Sequence, residues 1–177
     1  MKRWAWVVAG AILLYFLVRL GVSKIRSIRN NNPGNLRPLP RGQKWAGELS
    51  TQDTATGGPF SRFESPRKGW RAMAVDVYGD ITRDHLDTIR KLVAAYAPAG
   101  DLAGKQRNDP DAYAKSVASK VGISIDFPLN VWLHGPALLK SMATVEAGVD
   151  PDLVWGSKER LDGIMDATDY LQALGRL

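Results

Sequence analysis

Between Lys24 and Pro66 the chain is punctuated so densely that no helix of normal length fits. Asn32-Pro33-Gly34-Asn35, Pro38-Leu39-Pro40-Arg41-Gly42 and Gly57-Gly58-Pro59 each mark a turn, because Asn and Gly tolerate left-handed backbone while Pro fixes φ and removes a donor. Short strands and loops are expected here, with a small hairpin ending at Phe60–Phe63. After Pro66 the texture turns helical. Ser65 can cap a helix with Pro66 at its first position, and Trp70, Met73, Ala74 and Val77 recur on one face. A second helix is expected over about Thr82 to Tyr96, where Leu86, Ile89, Leu92, Val93 and Tyr96 repeat the pattern before Pro98. A third starts at Asp109-Pro110 and ends at Gly122. A fourth is expected from about Pro136 to Glu146, and a fifth from Ser157 to about Leu174. The reading is a mainly α domain with a small irregular β region at its N-terminal end.

Residues Trp4 to Val18 form an unbroken uncharged, mostly apolar run, which extends past Arg19 to Val22. Roughly 20 apolar residues cross a hydrocarbon core of about 30 Å. The expectation is a transmembrane anchor over residues 4–22, within a segment 1–24 that has basic flanks, followed by one folded domain over 25–177. A cleaved signal peptide is the competing reading, since Lys2 and Arg3 make a charged start. The lipid membrane is thus an expected partner and the protein an expected single-pass membrane protein, its orientation left open.

The whole chain carries a net charge of +6. Beyond residue 24 there are 20 basic residues against 18 acidic ones, a net charge of +2. The basicity is mostly a feature of the N-terminal segment, so nucleic acid is not an expected partner.

The residue inventory then narrows the chemistry. With only His85 and His134 and no cysteine, a zinc site of His and Cys ligands is excluded, and so is a cysteine nucleophile. No G-x-S-x-G elbow and no phosphate-binding glycine loop occurs. Neither a metal nor a cofactor is expected. Carboxylate chemistry remains, and the chain has four glutamates: Glu48, Glu64, Glu146 and Glu159.

Glycoside cleavage needs a protonated carboxylic acid beside the scissile oxygen, its pKa raised by partial burial. Glu146 follows the apolar stripe Leu138, Leu139, Met142, Val145 and precedes Ala147-Gly148, which places it on the last turn of a buried helix. There the negative end of the helix dipole disfavours the ionised form. An exposed helix-end glutamate is the bland alternative. Glu48, in a loop after Trp45 and Gly47, could orient sugar or water, and the Trp45 indole could stack on a sugar face. Asp53 is a further candidate to support water or a covalent intermediate. Glu64 and Glu159 read as helix-start carboxylates. The Asn30–Asn35 run offers amides that donate and accept, suited to N-acetyl and hydroxyl groups, or serves only as turn chemistry.

Several strings resemble those of a family of phage and prophage proteins. They are Asn30-Asn31-Asn32-Pro33-Gly34-Asn35-Leu36-Arg37, Trp45-Ala46-Gly47-Glu48, Phe60-Ser61-Arg62-Phe63 with Pro66 and Gly69-Trp70-Arg71-Ala72, and Tyr96-Ala97-Pro98. The family comprises virion-associated, lysozyme-like or lytic-transglycosylase-like peptidoglycan-degrading proteins, and the resemblance covers roughly Ile28 to Gly148.

The resemblance implies an α+β lysozyme-like fold in permuted order, with the β region first and the catalytic helix late. It implies peptidoglycan glycan strands as substrate, other virion proteins as further partners, and a virion with an internal membrane or the host envelope as the location. Glu146 and Glu48 become the catalytic candidates. Asn31, Asn32, Asn35, Arg37, Trp45 and Tyr96 become the candidates for substrate binding. Two departures stand out: Ala99–Asn108 is longer than the family pattern and lacks its glutamate, and Glu146-Ala147-Gly148 lacks its asparagine. A lytic transglycosylase, a hydrolase, and a non-catalytic structural or DNA-delivery protein with a lysozyme-like body all remain open. An envelope-peptide cleaving enzyme is disfavoured because no nucleophile or metal set is recognisable.

Overall fold

A computed structural model describes residues 21, 25–52 and 58–100, the backbone of 102–103 and 106–107, and residues 108–177. A single helical turn, α1 (Arg26–Arg29), leads into the asparagine loop and a 3-10 turn at Pro40–Gly42. Strands β1 (Glu48–Gln52) and β2 (Phe60–Phe63) follow as an antiparallel pair, with Glu48 opposite Phe63 and Gln52 opposite Phe60. The rest is helical: α2 (Pro66–Thr82), α3 (Ile89–Tyr96), α4 (Pro110–Val121), α5 (Val131–Ala147), α6 (Pro151–Trp155) and α7 (Ser157–Ala173). A second small antiparallel pair, β3 (Leu102–Ala103) and β4 (Gln106–Arg107), lies between α3 and α4.

Helix α5 is mostly apolar and packs against α2, α4 and α6, with Trp132 and Leu133 of its first turn exposed. Its Leu138, Leu139 and Met142 meet Trp70, Met73 and Val77 of α2 and Leu92 and Val93 of α3 in one core. Helix α2 also lies along α7, and the Trp70 ring meets Trp155 edge-on at a centroid distance of 6.0 Å.

Two boundaries differ from the sequence reading. The second expected helix starts at Ile89 instead of about Thr82, which is the last residue of α2. Thr82 Oγ1 turns back to donate to the Tyr78 carbonyl, His85 adopts a left-handed φ of 57°, and Thr88 caps a new helix by accepting from Lys91 N–H. The fourth expected helix starts at Val131 instead of Pro136, because the Asn130 side chain accepts from both Trp132 and Leu133 N–H. That double cap carries the helix through the proline at its sixth position.

The expectation of a fold preceded by a transmembrane helix, and of a single-pass membrane protein, is not sustained. Among the described residues no helix is long and apolar enough to cross a membrane. The three longest, α2, α5 and α7, have 17 residues each, and at about 1.5 Å per residue fall short of a 30 Å core. Residues 4–20 and 22, on which the expectation rested, lie outside the described residues.

The α2–α7 crossing depends on Gly163, where a Cβ would press on the Arg67 carbonyl oxygen and stand 2.7 Å from Trp70 Cβ. Gly163→Ala is expected to destabilise the protein by about 1–3 kcal/mol through overpacking, read as a lower midpoint in urea unfolding with an unchanged slope.

Candidate functional site

The asparagine loop is fastened to β2 by its own side chains. Asn32 is fully buried; its carbonyl oxygen accepts from Leu36 N–H at 2.8 Å, while its amide donates to the carbonyls of Leu36 (2.9 Å) and Ser61 (2.8 Å). Asn31 donates to the Phe63 carbonyl at 3.2 Å. Asn31 and Asn35 adopt φ of 49° and 48°, the left-handed region that asparagine enters at least cost after glycine. Gly34 allows close approach from below: a Cβ there would strike Tyr96 Oη and sit 3.0 Å from Met73 Cγ. The Tyr96 hydroxyl instead donates to the Gly34 carbonyl.

This loop delivers Asn35 to Glu146, 111 residues further along the chain. Glu146 ends α5, one residue before the last helical residue Ala147 and two before Gly148, whose φ of 69° closes the helix. Asn35 Nδ2 donates to Glu146 Oε2 at 2.6 Å, and the Tyr113 hydroxyl of α4 donates to Oε1 at 3.0 Å. Arg26 Nε donates to Asn35 Oδ1 at 3.2 Å, and the guanidinium lies 3.7 Å from the Phe60 ring centroid. Removal from water pushes the Glu146 carboxyl above the usual glutamate range; the bonds from Asn35 and Tyr113 and the charge of Arg26 oppose that rise without cancelling it.

Glu146 opens into a groove of about 800 Å³ that it shares with the asparagine loop. Asn35 and Arg37 of the loop line it, together with Trp45, Phe60, Tyr96 and Tyr113. The Trp45 indole N–H donates to the Arg37 carbonyl at 3.0 Å. Asp76 and Asp80 of α2 add a second acidic face.

The sequence candidates therefore separate. Glu146, Asn35, Arg37, Trp45 and Tyr96 come together around one cavity, whereas Asn31 and Asn32 spend their amides on the backbone beneath it. Glu48 is not on the groove: its Oε2 accepts from Trp45 N–H at 3.0 Å and its Oε1 from the Ser61 hydroxyl at 2.9 Å, closing the Trp45–Glu48 turn against β2. Asp53 lies outside the described residues. Glu64 stands 3.9 Å from Lys68, and Glu159 lies in the first turn of α7. His134 Nδ1 accepts from Asn130 N–H at 3.0 Å. Among the described residues no group of three or more His, Cys, Asp or Glu could hold a metal ion.

Arg26, Asp76, Asp80 and Tyr113 were not found by sequence reasoning. Arg26 reads as one more basic residue near the N-terminal segment, and Tyr113 as an ordinary position on an amphipathic helix. Asp76 carried a signal: it lies three residues after Met73 and beside Val77, within the buried face of α2. It has no hydrogen-bond or ion-pair partner among the described residues, and Arg83, whose charge acts on it, is bound through Nε and an Nη to Asp84. Burial first, then the charges of Asp80 and Asp84, push the Asp76 carboxyl up to about 7.

A carboxyl whose pKa is higher folded than unfolded gives stability that is complete below the unfolded value and lost as pH rises through the folded one. Asp76→Asn is expected to raise the melting temperature at pH 8, by the equivalent of about 1–2 kcal/mol after allowance for solvent at the groove, and to change it little at pH 4. Thermal unfolding of both proteins across that range checks the sign.

No protein-family model matches the chain, and no curated protein matches it.

Proposed function

We propose that this protein cleaves the β-1,4 glycan link of peptidoglycan, serving local cell-wall penetration by a virion, with Glu146 as the acid that protonates the leaving oxygen. The observation that carries this reading is the Glu146 carboxyl itself: kept from water, biased toward its protonated form, and facing an open groove lined by an indole, a phenol ring, an amide and a guanidinium. Flat aromatic faces such as Trp45 and Tyr96 pack against sugar rings, and Asn35 can meet N-acetyl and hydroxyl groups. Arg37 is suited to carboxylates carried by the substrate.

In this reading the Glu146 proton passes to the glycosidic oxygen as the bond to C1 breaks, and the electron pair stays on the leaving oxygen. The positive charge at C1 is then met by water, giving a reducing end, or by a hydroxyl of the same sugar, giving an anhydro product. Asp76, lining the same groove and ionising near neutral pH, is the carboxylate suited to take the proton released in that second step. Glu48 has both oxygens committed to the turn and is left out of the chemistry.

The rival reading is a non-catalytic glycan-binding or structural body. It draws on the fact that both Glu146 oxygens accept hydrogen bonds from within the protein, the arrangement of a carboxylate that fastens a loop.

Digestion of purified sacculi with mass spectrometry of the products separates these. Wild-type protein is expected to release muropeptides and Glu146→Gln to lose at least about 100-fold in rate, the scale of a missing general acid. Anhydro ends identify a transglycosylase and reducing ends a hydrolase. Full activity in Glu146→Gln removes Glu146 from the chemistry, and absence of digestion by the wild type leaves the binding reading.

A further inference from the structure

The hydrogen bonds around Glu146 are not equivalent, and their polarity can be read from one residue. An asparagine amide could in principle present either end to a carboxyl group. Asn35 cannot choose. The Arg26 guanidinium has only donors; its Nε lies 3.2 Å from Asn35 Oδ1, and the face of Phe60 holds it at 3.7 Å. The carbonyl end of Asn35 is therefore committed to Arg26, and the amide N–H is committed to Glu146 Oε2 at 2.6 Å.

A proton on Oε2 would leave the Asn35 N–H bonded at 2.6 Å to a carboxylic hydroxyl oxygen, a poorer acceptor than the carbonyl oxygen it faces when the proton is on Oε1. Oε1 faces a different kind of partner. The Tyr113 hydroxyl, 3.0 Å away, donates to a carboxylate and, after rotation about its C–O bond, accepts from a carboxylic acid. Burial and the neighbouring Glu146 charge push the Tyr113 phenol well above its ordinary value, so it keeps its own proton through both states.

We propose that Glu146 carries its exchangeable proton on Oε1, and that Arg26, acting through Asn35, and Tyr113 are the positioning residues that put it there. Its use in glycoside cleavage rests on the function proposed above. The glycosidic oxygen then approaches Oε1, where it replaces Tyr113 as the proton's acceptor. Once the proton has moved and the C1–O bond has broken, the Tyr113 hydroxyl turns back and donates to the new carboxylate. Arg26 and Asn35 do not move.

The proton placement can be tested without substrate. With only four glutamates in the chain, protein carrying a ¹³C label at the glutamate side-chain carboxyl gives four signals, and Glu146→Gln identifies the one to follow. Removing the fixed donor in Asn35→Leu is expected to raise the Glu146 midpoint by about one pH unit or more, tenfold in the proton equilibrium. Tyr113→Phe is expected to raise it by less, because the hydroxyl stabilises both forms. If Asn35→Leu does not fold, Arg26→Met takes its place; it frees the amide to turn its carbonyl toward Oε2 and is again expected to exceed Tyr113→Phe.

A shift in Tyr113→Phe equal to or larger than that of the comparison variant overturns the assignment. Sacculus digestion supplies the second readout: Tyr113→Phe lowers kcat about tenfold and leaves KM within about twofold. If the titration behaves as expected and the wild type digests nothing, the placement stands and the glycosidase reading falls; an unaltered kcat in an active enzyme overturns the role of Tyr113.

Discussion

The side chain of Asn32 meets the amide and carbonyl of Leu36 and the carbonyl of Ser61 in complete isolation from water. Three hydrogen bonds from one buried amide convert a proline- and glycine-broken stretch, which has no regular structure to support it, into a fixed shelf on β2. Each bond is modest in net terms, but leaving any of the three partners buried and unpaired costs about 1–3 kcal/mol. Gly34 can approach Tyr96, and Asn35 can reach Glu146, only because residues 32 and 36 are held at that separation. The groove wall is thus held by a contact sealed from solvent.

Charge is distributed in the molecule with a clear division of labour. The pairs on the outer faces, such as Arg67 with Asp166 and Arg90 with Asp126, are solvent-exposed and contribute little each. In the groove the arrangement differs. Arg26 and Arg37 gather over Phe60, Asp76 and Asp80 occupy α2, and Tyr96 feels the charges of Glu146, Asp76 and Asp80 together. Asp76 has no ion-pair partner among the described residues, and burial, then the charges of Asp80 and Asp84, push its carboxyl up to about 7.

Legibility followed the reach of each signal. Ser65-Pro66, Asp109-Pro110, Gly122 and Gly148 act on their own backbone, and the helices they bound lie where those residues place them. The start of α5 was hidden because Pro136 is itself a common first residue, and the stronger Asn130 cap lies six residues earlier. His85 and Thr88 interrupt a continuous apolar pattern, since periodicity records which side faces the core and not whether the chain turns between two faces. Glu146 was visible as a candidate because a helix stripe ending in Glu-Ala-Gly is a local pattern. Tyr113 and Arg26 were not, because what surrounds them is brought by the tertiary fold. In the Trp45-Ala46-Gly47-Glu48 string a carboxylate near an indole looks reactive, and in the structure both Glu48 oxygens accept hydrogen bonds that close its own turn against β2.

The pairing of Asn35 with Glu146 across 111 positions has a consequence for how such a molecule comes into being. During synthesis the loop emerges first and Glu146 more than a hundred residues later, so a chain interrupted before Val145 lacks the carboxyl to which Asn35 and Tyr113 donate. Even a full-length chain has no groove until α5 has settled among α2 and α4 and brought its last turn under the loop. The water-poor setting of the Glu146 carboxyl requires the asparagine loop, α4 and α5 together. Any chemistry measured at that carboxyl is therefore also a measure of the fraction of chains that have closed.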